Sequence, residues 1–182
     1  FALMSYNFRM HNIVVRRDYD ATLPAIELDE YQVQQVFMNI ILNAIQAMEG
    51  VKLEEPRLSV HTALAEDEKM VCIRIEDNGP GIPQKDLARI FTPFFTTKKA
   101  DEGTGLGLPV SLNIVKQHNG QIRADSIEGQ GATFSITLPV SKALGRQRKK
   151  HRTTILRKPL TGRVLAVDDE KSVVEMTKRV LE

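Results

Sequence analysis

Apolar residues recur every three or four positions between Glu30 and Met48, the longest periodic stretch of the chain. This spacing is typical of an α-helix with one apolar face. At about 100° per residue, carboxamide side chains fall within about 40° of one another on the remaining face. These side chains, which we call the carboxamide stripe, are Gln32, Gln35, Asn39, Asn43 and Gln46. Apolar residues border the stripe closely, so its amides need partners, which are either neighbouring loops or a polar ligand.

Shorter patterns predict the elements around this helix. Residues 1–11 are interpreted as the end of a helix, and residues 13–19 alternate as an edge strand does. Asp29 and Gln32 have the spacing of a capping box, which begins the long helix and gives Gln32 a structural role.

Period-two alternation predicts four further strands. Residues 57–64 and 70–76 form an antiparallel hairpin across a charged link, and residues 122–127 and 132–138 flank a turn that contains glycine. The apolar face of the last strand carries Phe134, Ile136 and Leu138.

A second helix is predicted at residues 108–118 and ends at Asn119-Gly120. Its inward residues are expected to be Leu108, Leu112 and Val115. The elements then run helix, strand, helix, strand, strand, loop, helix, strand, strand. This mixed order implies an α+β fold, a two-layer sandwich in which helices cover one face of a mixed, largely antiparallel sheet.

Composition adds a domain boundary to this picture. The 182 residues suit one domain plus a fragment, and the abrupt start and end suggest a piece of a longer chain. Nine Lys/Arg and no Asp/Glu lie between Ser141 and Arg163, so residues 141–161 are interpreted as a basic linker. Nucleic-acid binding is disfavoured there, because no aromatic residues are interleaved with the basic ones.

The single Cys72 excludes a disulfide framework and a cysteine-based metal site, and it suits a reducing cytoplasm. No apolar run approaches the roughly 18 residues of a membrane span, and the N-terminus lacks the layout of a signal peptide. We therefore expect a cytoplasmic segment without membrane contact, whose parent could still be membrane-anchored.

Residues 77–81, Asp-Asn-Gly-Pro-Gly, directly follow a predicted strand. The glycines allow the backbone to approach a flat ligand, and the Asp77 carboxylate can accept a hydrogen bond from an exocyclic amine such as that of adenine. An ordinary turn is the alternative interpretation.

Residues 103–107, Gly-Thr-Gly-Leu-Gly, open the second helix shortly after Lys98. Free amides at a helix start can hold phosphate oxygens, and a nearby lysine can add positive charge. The pattern is neither a P-loop nor a Rossmann fingerprint, because no Gly-Lys-Ser/Thr follows it and no strand immediately precedes it.

Together and in this order, these segments resemble the catalytic, ATP-binding domain of histidine kinases, of the nitrogen-sensing type, over residues 1–140. The matching segments are residues 39–44 for the N box, 77–81 for the first glycine box, 91–95 for the F box and 103–107 for the second glycine box. The resemblance implies a Bergerat-type ATP-binding fold with ATP and Mg²⁺ as cofactors.

The resemblance also implies roles for single residues. Asn43 would give an oxygen to Mg²⁺ with Asn39 beside it, Asp77 would bind the adenine amine with Thr133 nearby through water, and Lys98 would neutralise the γ-phosphate. Asn39, Asn43 and Lys98 are the candidate catalytic residues, and residues 91–103 would form a lid. The full set expected to contact ATP is Asn39, Asn43, Asp77, Gly79, Gly81, Ile82, Phe91, Thr97, Lys98, Gly103, Thr104, Gly105, Leu106, Gly107, Leu108 and Thr133.

The implied activity is that of a protein-histidine kinase of a two-component phosphorelay, which transfers the γ-phosphoryl group to a histidine on a dimerisation segment absent from this chain. The implied partners are that segment, a response regulator or receiver domain, and a second copy of the parent. Related ATPases carry a glutamate where Asn39 stands, and an amide cannot take a proton as that glutamate does. The alternatives are a gyrase-like ATPase and a nucleotide sensor or scaffold without transfer.

Two departures from the family pattern stand out. Pro109 occupies a position that more often holds serine, and Gln46 replaces a lysine that some members direct at phosphate, which places more weight on Lys98. None of the four histidines, His11, His61, His118 and His151, has the context of a phosphoacceptor.

Residues 162–182 resemble the start of a receiver domain, with a strand that ends in Asp168 and Asp169 before a helix. A strand followed by an acidic helix start is the alternative. The sequence thus predicts a catalytic domain at 1–140, a linker at 141–161 and a truncated βα unit at 162–182, as in a hybrid histidine kinase.

Overall fold

The computed structural model of the chain describes residues 4–98 and 103–140. The chain divides into two units, Phe1–Lys142 and Ala143–Glu182, and all described residues belong to the first. The predicted linker at 141–161 and the predicted βα unit at 162–182, with Asp168 and Asp169, lie outside the described residues.

The described residues form helices and strands in the predicted order. The helices are α1 (Ser5–Met10), α2 (Glu30–Glu49), α3 (Gln84–Leu87) and α4 (Gly107–Gln117), and the strands are β1 (Val14–Tyr19), β2 (Arg57–Leu64), β3 (Met70–Asp77), β4 (Gln121–Ser126) and β5 (Ala132–Pro139). Only α3 was not predicted, because a single turn of helix has no measurable periodicity. No helix in the part of the chain that the structure describes is both long enough and apolar enough to cross a membrane.

The five strands form one sheet in the order β1-β2-β3-β5-β4. β1 pairs with β2 in parallel, and the other neighbouring pairs are antiparallel, which confirms the mixed sheet and the edge position of β1. Every second residue of β5 is buried, and α2 and α4 contact each other as well as the sheet. The predicted α+β sandwich with helices on one face is therefore confirmed.

The inward face of α4 differs from the prediction. Ile114 and Val115 are buried as expected of a core face, but Leu108 and Leu112 are only partly buried, and Ser111 is fully buried in their place. The Ser111 hydroxyl donates a hydrogen bond to the Gly107 carbonyl (2.9 Å). A buried hydroxyl with hydrogen-bond partners therefore lies on a face that apolar periodicity alone does not predict.

The predicted N-cap at Asp29 is confirmed at the start of α2, but the reciprocal bond of a capping box does not form, because Gln32 contacts the Asp29 side chain rather than its backbone N–H. Asp29 Oδ1 accepts from the Gln32 backbone N–H (3.1 Å), and Gln32 Nε2 donates to Asp29 Oδ2 (3.1 Å). The Asp29 N–H also donates to His118 Nε2 (3.0 Å), whose Nδ1 faces the Ile114 carbonyl (2.8 Å). His118 thus connects the start of α2 with the end of α4.

The turn between β4 and β5 offers a matched pair of glycine substitutions. Gly129 and Gly131 both have positive φ (83° and 92°), but a Cβ at Gly129 would meet nothing within 4 Å, whereas a Cβ at Gly131 would collide with the Asp77 carbonyl. Gly129→Ala should cost roughly 1–2 kcal/mol through its left-handed backbone alone. Gly131→Ala should cost roughly 1–3 kcal/mol more, because β3 and β5 must separate. Urea unfolding of both variants measures the difference, and equal losses would contradict the assigned close approach.

Candidate functional site

A cavity of about 330 Å³ opens between α2, the start of α4 and the segment that follows β3. Its volume lies within the range of about 300–1,000 Å³ that is usual for small-molecule sites. Three residues of the carboxamide stripe, Asn39, Asn43 and Gln46, contribute to it together with Asp77 and both glycine segments. The predicted site residues that line the cavity are Asn39, Asn43, Asp77, Gly81, Ile82, Thr97, Lys98, Gly103, Thr104, Gly105, Gly107 and Leu108.

Three predicted residues lie next to the cavity without lining it. Gly79 supports the site, because its N–H donates to Asp77 Oδ1 (2.9 Å). Phe91 packs against the hydrophobic core, and Leu106 is exposed. Residues 99–102 of the predicted lid lie outside the described residues.

The contact of Thr133 through water stays a prediction, but the pairing of β3 with β5 places its neighbour Ala132 opposite Asp77. Asp77 pairs with Ala132, whereas Thr133 pairs with Glu76, and neighbouring residues of a strand point to opposite faces of the sheet. Ala132 is buried and lines the cavity beside Asp77, while Thr133 does not line it. The sequence identified the strand but not its register, and the register decides which side chain faces the site.

Asp77 is the most deeply buried acid of the cavity, with 6% of its surface exposed at the end of β3. Burial raises the pKa of its carboxyl group above the ordinary value of 3.8, while hydrogen bonds from the Gly79 and Ala132 backbone oppose that rise. A buried acceptor in the wall of a cavity suits a ligand that presents a hydrogen-bond donor.

Asn39 joins α2 to the start of α4. Its Nδ2 group donates to the Gly107 carbonyl (2.9 Å) and to the Ser111 hydroxyl oxygen (3.1 Å). The amide nitrogen of Asn39 therefore has structural partners. Within the described residues, no side chain caps the N-terminus of α4, so its first backbone amides remain available to an anion.

Asn43 and Gln46 lie one and two turns further along the carboxamide stripe and contact Lys98. The Lys98 ammonium donates to Asn43 Oδ1 (3.4 Å) and also to Gln46 Oε1. Lys98 and Gln46 are 52 positions apart in the chain, so their direct contact depends on the fold. Gln35 is exposed and lies outside the cavity.

The F-box segment and the second glycine segment are joined through their backbones. The Phe94 N–H donates to the Gly105 carbonyl (3.0 Å), and a Cβ at Gly105, where φ is 65°, would collide with the Phe94 backbone. Arg89 lies over the Phe95 ring, with 4.5 Å between the guanidinium carbon and the ring centroid. Phe95 lines the cavity, so this pair closes one of its walls.

Sequence reasoning missed several residues of the cavity wall. Apolar residues such as Leu42 and Phe134 line it because α2 and β5 turn one side towards the core, which the periodic pattern already indicated. Asp86 is different, because it is a carboxylate in a segment that was interpreted as a loop. Its only signal in the sequence is an acidic residue three positions after Pro83.

The donor set of the cavity fits ATP with Mg²⁺. A carboxylate at Asp77 and an ammonium at Lys98 suit a ligand with an amine at one end and phosphates at the other. The described residues contain no cluster of three or more His, Cys, Asp or Glu that could hold a metal by themselves. Asn43 Oδ1 nevertheless faces the Lys98 cation, and a single oxygen of this kind suits Mg²⁺ that is held mainly by phosphates and water.

Comparison with known proteins points to the same chemistry. The family described as "Histidine kinase-, DNA gyrase B-, and HSP90-like ATPase" matches residues 28–142. Sensor histidine kinase ZraS of Escherichia coli (strain K12) is 43% identical over 141 residues, which cover 76% of this chain and 28% of the relative. Sporulation kinase C of Bacillus subtilis (strain 168) is 39% identical over 140 residues, which cover 76% of this chain and 31% of the relative. The chain thus spans less than a third of these relatives' length.

Solved structures of histidine kinases resemble the fold. The catalytic domain of histidine kinase ThkA is 30% identical with a TM-score of 0.65, and the match covers 76% of this chain and 86% of that one. Full-length ShkA in complex with AMPPNP is 28% identical with a TM-score of 0.65, over 76% of this chain and 28% of that one. ThkA in complex with the response regulator protein TrrA is 26% identical with a TM-score of 0.61, over 76% and 37% of the two chains.

The hydrogen bonds of Asn39 predict a measurable cost of its removal. Asn39→Ala should lower the free energy of unfolding by roughly 1–3 kcal/mol, because the partly buried Gly107 carbonyl and Ser111 hydroxyl lose a donor. Gln35→Ala, an exposed carboxamide one turn earlier on the same helix, should change it by no more than about 0.5 kcal/mol. Equal values in chemical unfolding would show that Asn39 does not join the two helices energetically.

Proposed function

From the family to which the chain belongs, the histidine kinase-, DNA gyrase B- and HSP90-like ATPases, and within it the ATP-binding catalytic domains of histidine kinases, we propose how its residues act. The proposed reaction is transfer of the γ-phosphoryl group of Mg-ATP to a histidine on a dimerisation segment. One observation carries the proposal: a single cavity brings the Lys98 ammonium and the Asn43 oxygen together at one place and seats the Asp77 carboxylate at another.

Each residue has a defined task in this proposal. Asp77 accepts a hydrogen bond from the adenine amine, and the first backbone amides of α4 hold phosphate oxygens. Lys98 neutralises phosphate charge, and Asn43 gives an oxygen to Mg²⁺. The bound metal would supply charge neutralisation between the phosphate groups. Catalysis then depends on positioning, because phosphoryl transfer requires little covalent chemistry from the protein.

The amide at Asn39 favours transfer over hydrolysis. A carboxylate at this place could take a proton from an attacking water, but an amide cannot do so at neutral pH. The contacts of its Nδ2 group with Gly107 and Ser111 give this amide a structural task instead. A gyrase-like ATPase, by contrast, would release free phosphate steadily from this chain alone.

The partners of the whole protein are also proposed. A response regulator or receiver domain would take the phosphoryl group from the histidine, and the solved complex of the similar ThkA with its response regulator supports that partner class. We further propose a homodimeric, hybrid kinase of the nitrogen-sensing type, with its catalytic domain in the cytoplasm and a receiver domain beginning near residue 162. A nucleotide sensor or scaffold would bind ATP without phosphorylating a supplied dimerisation segment.

The buried carboxylate predicts how ATP binding depends on pH. Asp77→Asn should weaken ATP binding by roughly 1.5–3 kcal/mol near neutral pH, the scale of a hydrogen bond to a charged group. Because burial raises the pKa of Asp77, the carboxylate takes up a proton at a higher pH than ordinary aspartate does, and the wild type should lose affinity as the pH falls through that range. Calorimetry should show the affinity ratio of wild type to variant shrinking towards acid pH. Titration of the nucleotide itself affects both proteins equally, so it does not change this ratio. A ratio that stays constant with pH would argue against the role of Asp77.

The metal ligand can be tested through transfer itself. Asn43→Ala should lower Mg-dependent transfer of labelled γ-phosphate to a separately expressed dimerisation segment by roughly 100-fold or more, the scale of a lost transition-state contact. Asn113→Ala, an exposed carboxamide on α4, serves as the control and should leave the rate unchanged. Wild-type transfer with little free phosphate supports a kinase, whereas transfer that survives Asn43→Ala would refute the metal assignment.

A further inference from the structure

Asp86 is a buried carboxylate of the cavity to which the proposed reaction gives no task. It lies in the single turn of α3, has 9% of its surface exposed, and lines the same cavity as Asp77 and Lys98. A carboxylate is seldom this deeply buried without a partner, because removing it from water is unfavourable.

No group of the described residues engages the Asp86 side chain. Among residues 4–98 and 103–140 it takes part in no side-chain hydrogen bond and no ion pair, and in particular it forms none with Lys98. Every fully enclosed side-chain oxygen or nitrogen in these residues has a partner. The Asp86 oxygens are therefore not fully enclosed, and the residue lines the cavity.

The local structure of α3 does not explain this carboxylate. Asp86 has the position at which an acidic side chain commonly reaches back to the backbone N–H of the N-cap residue. Here the N-cap is Pro83, which has no N–H, and the N–H of Ile82 already donates to Ser126 Oγ (2.7 Å). A reciprocal capping bond is therefore impossible at the start of this helix.

The chemistry of the group limits what it can bind. A carboxylate accepts hydrogen bonds and repels phosphate, so a neutral donor on the nucleoside part of ATP suits it better than the phosphate groups do. The nucleoside part of ATP offers such donors only at the adenine amine and at the ribose hydroxyls. The amine is assigned to Asp77, which leaves the ribose.

We propose that Asp86 accepts a hydrogen bond from a ribose hydroxyl of the bound nucleotide and so selects ribonucleotides over their deoxy analogues. This inference rests on the proposed function, since it requires a nucleotide in the cavity. A site built to hydrogen-bond a hydroxyl discriminates against an analogue that lacks it, because a buried acceptor is then left unpaired. A hydrogen bond to a charged acceptor corresponds to roughly 10- to 100-fold in affinity.

The test compares three nucleotides in three proteins. Calorimetry measures the affinity of ATP, 2′-deoxyATP and 3′-deoxyATP for the wild type, for Asp86→Ala and for Asp125→Ala, an exposed carboxylate of β4 outside the cavity. The wild type and Asp125→Ala should prefer ATP over at least one deoxy analogue by roughly 10-fold or more, and the analogue that binds weakly identifies the hydroxyl. Asp86→Ala should lose this preference while its unfolding midpoint stays near that of the wild type.

The possible failures are distinguishable. Equal affinities of the wild type for all three nucleotides would overturn the inference alone, because ATP binding would persist without selection for ribose. A preference that survives unchanged in Asp86→Ala would also overturn it, since another group would then recognise the ribose. If none of the three nucleotides bound, the proposed function would be overturned and, with it, this inference.

Discussion

The site depends on one carboxamide that joins two helices. Asn39 on α2 donates to the carbonyl of Gly107 and to the hydroxyl of Ser111, and that hydroxyl donates to the same carbonyl. The three groups close a triangle of hydrogen bonds around the first turn of α4. Because this turn presents the free amides of the glycine segment, the direction in which they point is set by the packing of α2 against α4 rather than by the glycines alone.

The opposite side of the site depends on how closely two strands approach each other. Gly131 has no side chain, so its backbone can lie directly against the carbonyl of Asp77, and the Asp77 carboxylate folds back onto the N–H of Gly79. Lys98 is held differently, through flexible side-chain contacts with Asn43 and Gln46. The cavity therefore combines a rigid end, fixed by backbone, with an end whose cation can adjust to its partner.

Much of this architecture follows from periodicity, because α2, the two hairpins and the N-cap at Asp29 are local patterns. Three features do not follow from it. The four residues of α3 are too few to show a period, the buried Ser111 meets Asn39 of another helix, and the pairing of β3 with β5 decides that Ala132 rather than Thr133 lies opposite Asp77. The contact of Lys98 with Gln46 joins residues that are distant in the chain, so no single stretch of sequence contains it. Local structure was thus predictable, whereas the faces and partners set by tertiary packing were not.

The order of the strands affects how the chain can fold during synthesis. β3 lies between β2 and β5, and β5 is the last strand to be made among the described residues, so the pairing of Asp77 with Ala132 must wait until residues 132–139 have left the ribosome. Until then, one edge of β3 lacks its partner, a state in which nascent chains are prone to aggregate. Completion of β5 therefore covers this edge and brings the backbone of Ala132 to Asp77 in the same event.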